Sequence, residues 1–184
     1  PLDDYTRKVV QARRRGTVYP YELVHVVAPP NTTGGFPRGD FVEHDLDGAG
    51  RLVPVDRAPG GNTANLVVGV IRNVVPTVPE GMRRVLIAGD PSRSLGSLAE
   101  AECRRIVAAL DLADRLGVPV EWFAVSSGAR ISMASGTENM DWIGDVLRRI
   151  ITFTQAGSDA VVGGLGQGDA REPKTPVAQR HRHR

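Results

Sequence analysis

A chain of 184 residues in which 41% of side chains are hydrophobic can close one domain around a sizeable core. A net charge of +2 carries no whole-chain signature of nucleic-acid binding, and no apolar run reaches the length of a membrane span. The one cysteine, Cys103, excludes an intrachain disulfide and suits a reducing, cytoplasmic compartment. Pro1-Leu2-Asp3-Asp4-Tyr5 is not a signal peptide, and the lack of an initiating Met is expected of a processed chain or a piece of a longer one.

Residues 3–15 read as a basic helix, with Lys8, Arg13, Arg14 and Arg15 on a solvated face and Gly16 as its stop. Residues 23–27 form a second apolar segment ended by Pro29 and Pro30, in which His25 is expected to be a packed or edge histidine rather than a catalyst. Residues 31–39, rich in Gly, Pro and Thr, read as loop. Residues 41–47 read as a strand entering a turn at 48–50. Asp45 and Asp47 lack the spacing of a calcium loop, so a turn is expected there and no metal. Residues 52–55 are a short strand and 59–62 a turn. Residues 66–71 and 83–90 are continuous apolar runs of buried-strand type.

Ser97-Leu98-Ala99-Glu100 reads as a capping box that opens a helix to residue 116, with Cys103, Ile106, Val107, Leu110, Ala113 and Leu116 on its apolar stripe. Cys103 therefore belongs to the core and not to catalysis. Gly117 and Pro119 stop the helix, which feeds directly into the apolar run 118–125. That order predicts neighbouring parallel strands at 83–89 and 119–125, joined by the helix. A second helix is expected over 139–156, capped by Gly157, with Trp142 as a packing anchor and Arg148 and Arg149 on the opposite, solvated face. Beyond 157 only a weak strand at 160–164 is legible. Residues 166–184 hold five basic and two acidic residues without apolar periodicity, so 158–184 is expected to be a divergent, disordered basic tail.

The run 118–125 breaks into small residues at 126–129, followed by Arg130. Small residues at a strand end let backbone N–H groups approach an anion or oxyanion, and Arg130 adds a fixed charge suited to phosphate or carboxylate. The same residues also suit an ordinary strand-to-helix turn with Arg130 on the surface.

Ser127-Gly128-Ala129-Arg130-Ile131 resembles the Ser-Gly-Ala-Arg-Ile signature in the N-terminal part of the carboxyltransferase of biotin-dependent acyl-CoA carboxylases. Gly96-Ser97-Leu98-Ala99-Glu100 resembles, in degenerate form, that family's Gly-Ser-Phe-Gly-Pro-x-Glu segment. Gly16-Thr17-Val18-Tyr19-Pro20-Tyr21 resembles its Gly-Thr-x-Tyr-x-Tyr opening. Gly60-Gly61-Asn62, Leu66-Val67-Val68 and Pro79-Glu80-Gly81 fall in the family's order. The resemblance covers residues 1–157, which it marks as a truncated carboxyltransferase N-terminal-type domain, and is nearest to the large fused acetyl-, propionyl- or acyl-CoA carboxylases of high-GC bacteria.

The resemblance implies an α/β fold of the crotonase type, built from repeated ββα units and here incomplete. It implies a half-site that binds acyl-CoA and stabilises its enolate for carboxylation, in a chemistry tied to fatty acid biosynthesis. The implied cofactor is biotin, as carboxybiotin on a separate carrier domain, with no metal. The implied partners are a second carboxyltransferase half, biotin carboxyl carrier and biotin carboxylase domains, and a second copy in a dimeric complete enzyme. Carried onto this chain, the backbone amides of Ser127 and Gly128 would face the thioester oxygen. Ala129, Arg130 and Ile131 would contact acyl-CoA, with Arg130 supporting the loop or reaching the CoA phosphates. Val68 would end a strand lining the same cleft. Ser127 replaces a Gly of some relatives, and Ser132 a Gly of many. Two other readings compete: a stand-alone crotonase-like hydrolase or isomerase, for which Glu138 is the nearby acid–base candidate, and a non-catalytic remnant or subunit-interaction module.

Overall fold

The computed structural model describes residues 1–32, 37–130 and 137–163. The expectations for Ile131, Ser132 and residues 166–184 lie outside the described residues. Helix α1 (Asp4–Arg14) starts at Asp3, whose carboxylate accepts from the Thr6 N–H at 2.7 Å. The apolar segment after it is helix α2 (Pro20–Val27), begun by a proline at its first turn, where a missing N–H costs nothing. His25 is exposed on α2, neither packed nor on a sheet edge.

Four strands follow in an antiparallel arrangement: β1 (Gly39–Leu46), β2 (Leu52–Pro54), β3 (Leu66–Val75) and β4 (Val78–Gly89). A short 3-10 turn (Ser94–Gly96) leads to helix α3 (Glu100–Leu116) and strand β5 (Val120–Phe123). Helix α4 (Glu138–Gln155) and strand β6 (Ala160–Gly163) close the described chain. The sheet runs β2-β1-β3-β4-β5-β6, and β5 and β6 join it in parallel, so β4 and β5 are parallel neighbours on either side of α3 as expected. The weak strand expected beyond 157 is β6, which pairs in parallel with β5. Main-chain bonds that need no strong apolar pattern hold it: the Val120 N–H of β5 donates to Asp159 O at 3.0 Å, and the Ala124 N–H just past β5 donates to Gly163 O at 2.9 Å.

The two central strands are buried on both faces, which explains their unbroken apolar runs. Leu66 and Val68 of β3 and Val85 and Ile87 of β4 face a core built with Cys103, Ile106, Ala109, Leu110 and Ala113 of α3 and Val146 and Phe153 of α4. Val67, Ile71, Leu86 and Ala88 alternate to the opposite face, under α1 and α2. Trp142 packs against the first of these cores, with the Arg104 guanidinium 5.3 Å from its ring centroid. Among the described residues no helix is long and apolar enough to cross a membrane.

Three further local expectations need correction. Helix α3 begins at Glu100, so Ser97 is not its cap: the 3-10 turn and an extended Ser97-Leu98 come first. The carboxylate that closes the helix start is Glu102, whose Oε2 accepts from the Ala99 N–H at 3.0 Å. Val68 does not end a strand at a cleft; it is the third residue of β3, 2% exposed, inside the α3-side core. Arg149 is not solvated, because α4 turns it toward α3, where it pairs with Asp111 at 2.7 Å and with Asp114.

Candidate functional site

Two glycines make room for the loop after β5. A Cβ at Gly89, the last residue of β4, or at Gly96 would overlap the Val125 carbonyl, and Gly96 also holds φ +68°. Gly96 completes a left-handed run with Ser94 (φ 44°) and Leu95 (φ 55°), a conformation that costs non-glycine residues on the order of 1–3 kcal/mol each. The bonds that hold this turn lie partly in the loop: the Ser127 N–H donates to Leu95 O at 3.1 Å.

From there the loop runs beside the segment leading into α3. Leu98 N–H donates to Gly128 O at 2.9 Å and Arg130 N–H to Leu98 O at 2.7 Å, a parallel bridge centred on Leu98 and Ala129. The α4 side is tied in by Asn139, whose side-chain amide donates to Arg130 O at 2.7 Å. Ser126, Ser127 and Gly128 are exposed at the loop tip, and Ala129 and Arg130 are half-buried.

The two amides nominated as oxyanion donors are brought together at one exposed tip, and each has an acceptor inside the chain. Ser127 N–H is held by Leu95 O, and Gly128 N–H by its own loop's Ser126 Oγ at 3.0 Å. The second bond is the easier to exchange, because a hydroxyl rotates and the group is exposed. Arg130 directs Nε to Ser97 Oγ at 3.3 Å and makes no carboxylate ion pair among the described residues.

Beside Arg130 lies a cavity of about 510 Å³, lined also by Thr63, Asn65, Arg93, Ala99 and Glu102. Among the described residues Arg93 donates to main-chain oxygens, at 3.4 Å to Asn62 and 3.1 Å to Thr63. The cavity thus sets two guanidinium groups and the start of α3 beside one buried carboxylate, Glu102, whose oxygens are taken up by main-chain N–H groups, and the two guanidinium groups suit an anion. The floor is rigid. Glu102, 4% exposed, accepts from the Asn65 N–H at 2.9 Å as well as from Ala99, while the Asn65 side chain donates to Ser97 O at 2.8 Å.

Sequence reasoning missed Asn65, Arg93 and Glu102. Only Glu102 left a signal: it sits one helical turn before Ile106, a carboxylate on an otherwise buried stripe. Cys103 lies one residue further in, 1% exposed, and burial pushes its thiol up to about 11, so it carries no nucleophile. Asp45 and Asp47 bind arginines and main-chain N–H groups. Asp47 accepts from Ala49 and Arg51 as the turn predicts, and Asp45 is held by Arg57 and Arg105. Glu138 is exposed at the start of α4, next to the Asn139 that grips the loop.

No family model matches the chain. Acetyl-CoA carboxylase of Saccharomyces cerevisiae is 33% identical over 96 residues, 51% of this chain and 4% of that protein. Acetyl-CoA carboxylase 2 of Arabidopsis thaliana is 26% identical over 151 residues, 73% of this chain and 6% of that protein. Among solved structures, the beta subunit of Pseudomonas aeruginosa geranyl-CoA carboxylase superposes with a TM-score of 0.60 at 17% identity, over 85% of this chain and 27% of that one. The chain therefore spans a small part of the curated relatives it matches. Sequence and fold together support the resemblance read from the sequence, a partial carboxyltransferase domain, and the mixed six-stranded sheet has the crotonase-type fold.

Proposed function

We propose that this chain supplies the acyl-CoA half-site of a biotin-dependent acyl-CoA carboxyltransferase and turns over only with a second carboxyltransferase half. The observation that carries the reading is the seating of residues 126–130 against the start of α3. It sets an exposed Gly128 amide beside the chain segment of Arg130, which lines a cavity whose two arginines have no carboxylate partner among the described residues. In this reading residues 1–157 are the carboxyltransferase-type unit, and residues 158–184 diverge from it.

The chemistry assigned to the site is stabilisation of a developing anion. Removing the α-proton of a thioester moves negative charge onto its oxygen, and fixed N–H donors in a water-poor cleft stabilise that charge more than water does. Gly128 is the direct donor in this assignment, once Ser126 Oγ rotates away. Ser127 reaches the oxygen only by leaving Leu95, so its present bond mainly orients Gly128. Arg130 and Arg93 take the CoA phosphates, and Ala129 and Ile131 contact the rest of the ligand. Carboxybiotin, on a separate carrier, supplies the CO₂ when bound; no described residue is assigned to hold it. Biotin carboxyl carrier and biotin carboxylase domains, a cytoplasmic setting and a dimeric complete enzyme belong to the same proposal.

Calorimetry with a CoA thioester tests it. Weak binding is expected, reduced about tenfold or more by Arg130→Ala, the loss of one charge-assisted contact. Carboxylation from carboxybiotin by this chain alone is expected to be absent, because positioning of the two substrates carries much of such a rate. Full carboxylation by the isolated chain would overturn the half-site reading. No binding at millimolar thioester would favour the non-catalytic interaction module, a reading supported by the internal acceptors that both loop amides already have.

A further inference from the structure

The turn between β4 and α3 holds two ordinary residues in the left-handed region and buries neither of them. Ser94 (φ 44°) and Leu95 (φ 55°) precede Gly96 (φ 68°), and both are exposed, Leu95 at 54%. Glycine takes such angles freely, whereas an L side chain crowds the carbonyl that follows it. Strain that buries nothing has to be held by bonds. Gly96 N–H donates to Arg93 O at 2.8 Å and Ser97 N–H to Ser94 O at 3.0 Å, which closes the turn on itself. The bond from outside the turn is that of the Ser127 N–H to Leu95 O, at 3.1 Å.

Both ends of the turn are fixed, so relaxation falls on Ser94 and Leu95. Upstream, the fully buried Asp90 grips Ser92: one carboxylate oxygen accepts from the Ser92 N–H at 2.9 Å and from its hydroxyl at 2.6 Å. The other oxygen accepts from the Asn62 side-chain amide at 2.9 Å. Downstream, Gly96 is wedged against the loop, since a Cβ there would overlap the Val125 carbonyl. A return of Ser94 and Leu95 to negative φ re-aims the Leu95 carbonyl and takes the acceptor from the Ser127 N–H. Ser94 lines the same cavity as Arg93 and Arg130, so the motion takes place at the wall of the candidate site.

We propose that Leu95 is a positioning residue and that its left-handed turn is a strained catch on the Ser127 amide. Closed, the turn occupies the Ser127 N–H; relaxed, it releases that N–H as a second donor beside Gly128. An anionic oxygen at the loop tip binds the relaxed form better, because only that form offers it both amides, and so shifts the chain toward it. The strain given up at Ser94 and Leu95 offsets part of the cost of breaking the bond between Ser127 and Leu95. The proposal rests on the half-site reading for its ligand, a thioester oxygen that gains charge, but the motion belongs to the free chain.

Leu95→Gly and Leu95→Ala provide the test. Both remove the exposed side chain, but only glycine holds the left-handed angle without strain. Amide hydrogen exchange of the free, full chain reads the catch. Ser127 should exchange by a local opening, nearly independent of urea, and about threefold or more slower in Leu95→Gly than in Leu95→Ala. That factor is the left-handed penalty less the extra freedom glycine gains in the open turn. Calorimetry with a CoA thioester reads the coupling: Leu95→Gly, which favours the closed turn, should bind more weakly than Leu95→Ala by a similar factor. Ser94→Gly against the parent repeats both comparisons with Leu95 in place, should either Leu95 variant fail to fold. Equal Ser127 exchange in the paired variants, or exchange that follows the full m-value, would overturn the proposal. So would equal or tighter thioester binding by Leu95→Gly where the parent binds. A parent that binds no thioester at millimolar concentration sinks the half-site reading and with it the ligand-driven step, while the exchange comparison still decides whether the catch exists.

Discussion

Glu102 is a carboxylate with no ion pair among the described residues, 4% exposed, and both of its oxygens accept main-chain N–H groups, from Asn65 and from Ala99. It thereby joins the start of β3 to the start of α3, the two segments that floor the arginine-lined cavity. A glutamine has the same shape but only one accepting oxygen; its NH₂ would be turned against one of the two donors. Glu102→Gln is therefore expected to lower unfolding free energy by about 1–3 kcal/mol, the cost of one unsatisfied buried donor, read from the urea midpoint at constant m. The loop itself was legible because a strand ending in small residues and an arginine is a chemical statement at consecutive positions. The acceptors of its amides were not. Leu95 and Ser94 adopt positive φ without being glycine, so nothing in their identity announced the left-handed turn that takes up the Ser127 N–H.

At the scale of elements, periodicity located α3, α4, β3 and β4 because each buries a patterned or continuous apolar surface. It was silent about polar ties between elements. Arg149 looked solvated on a helical wheel, yet α3 supplies Asp111 and Asp114 across the helix pair, which no single-helix pattern contains. The ions on β1 show the same thing more deeply. Asp45 binds Arg57 at 2.7 Å and Arg105 of α3 at 2.8 Å, Glu43 binds Arg57 and Tyr21, and all of these side chains are at most 21% exposed where they pair. Burial pushes the Asp45 carboxyl up, but hydrogen bonds from Arg57 and the Leu46 N–H, with the nearby Arg105 charge, outweigh it and hold the group below its ordinary value. A carboxyl that titrates lower folded than unfolded contributes stability above its unfolded pKa of about 3.9, and loses it as pH falls through the lower folded value. Asp45→Asn should cost about 3 kcal/mol at neutral pH, because it leaves the partly buried Arg105 without its carboxylate and takes from Arg57 one of two, Glu43 remaining. The difference from the parent should shrink steadily in urea titrations carried into the acid range. A gap that is constant with pH would show that the Asp45 charge is not what binds these elements together.

Across the whole molecule the sheet is strong at its centre and weak at one side. β3 and β4 are paired along most of their lengths and covered by helices on both faces, so their amides open only when the domain does. The β2 edge is three residues long and ends in Pro54, a blunted edge of the kind that resists adding strands. β6 is four residues long, paired to β5 on one side, with Val161 64% and Val162 57% exposed. It holds its place by main-chain bonds with little apolar burial to add to them. The loop 124–130 hangs between β5 and the start of α3, and is fastened chiefly by Leu98 and Leu95. Native-state hydrogen exchange should therefore give a graded pattern. Ile71, Val85 and Ile87 should exchange at the global unfolding free energy, Val161 and Gly163 by opening of β6 alone, and Gly128 fastest of these because its bond is to a rotatable hydroxyl. Denaturant dependence separates the cases: the β3 and β4 amides should follow the full m-value, and those of β6 and Gly128 should be nearly flat. Equal, fully denaturant-dependent exchange at β6 and in the loop would mean that this side is locked to the core. The Gly128 amide would then not be free to turn toward a ligand.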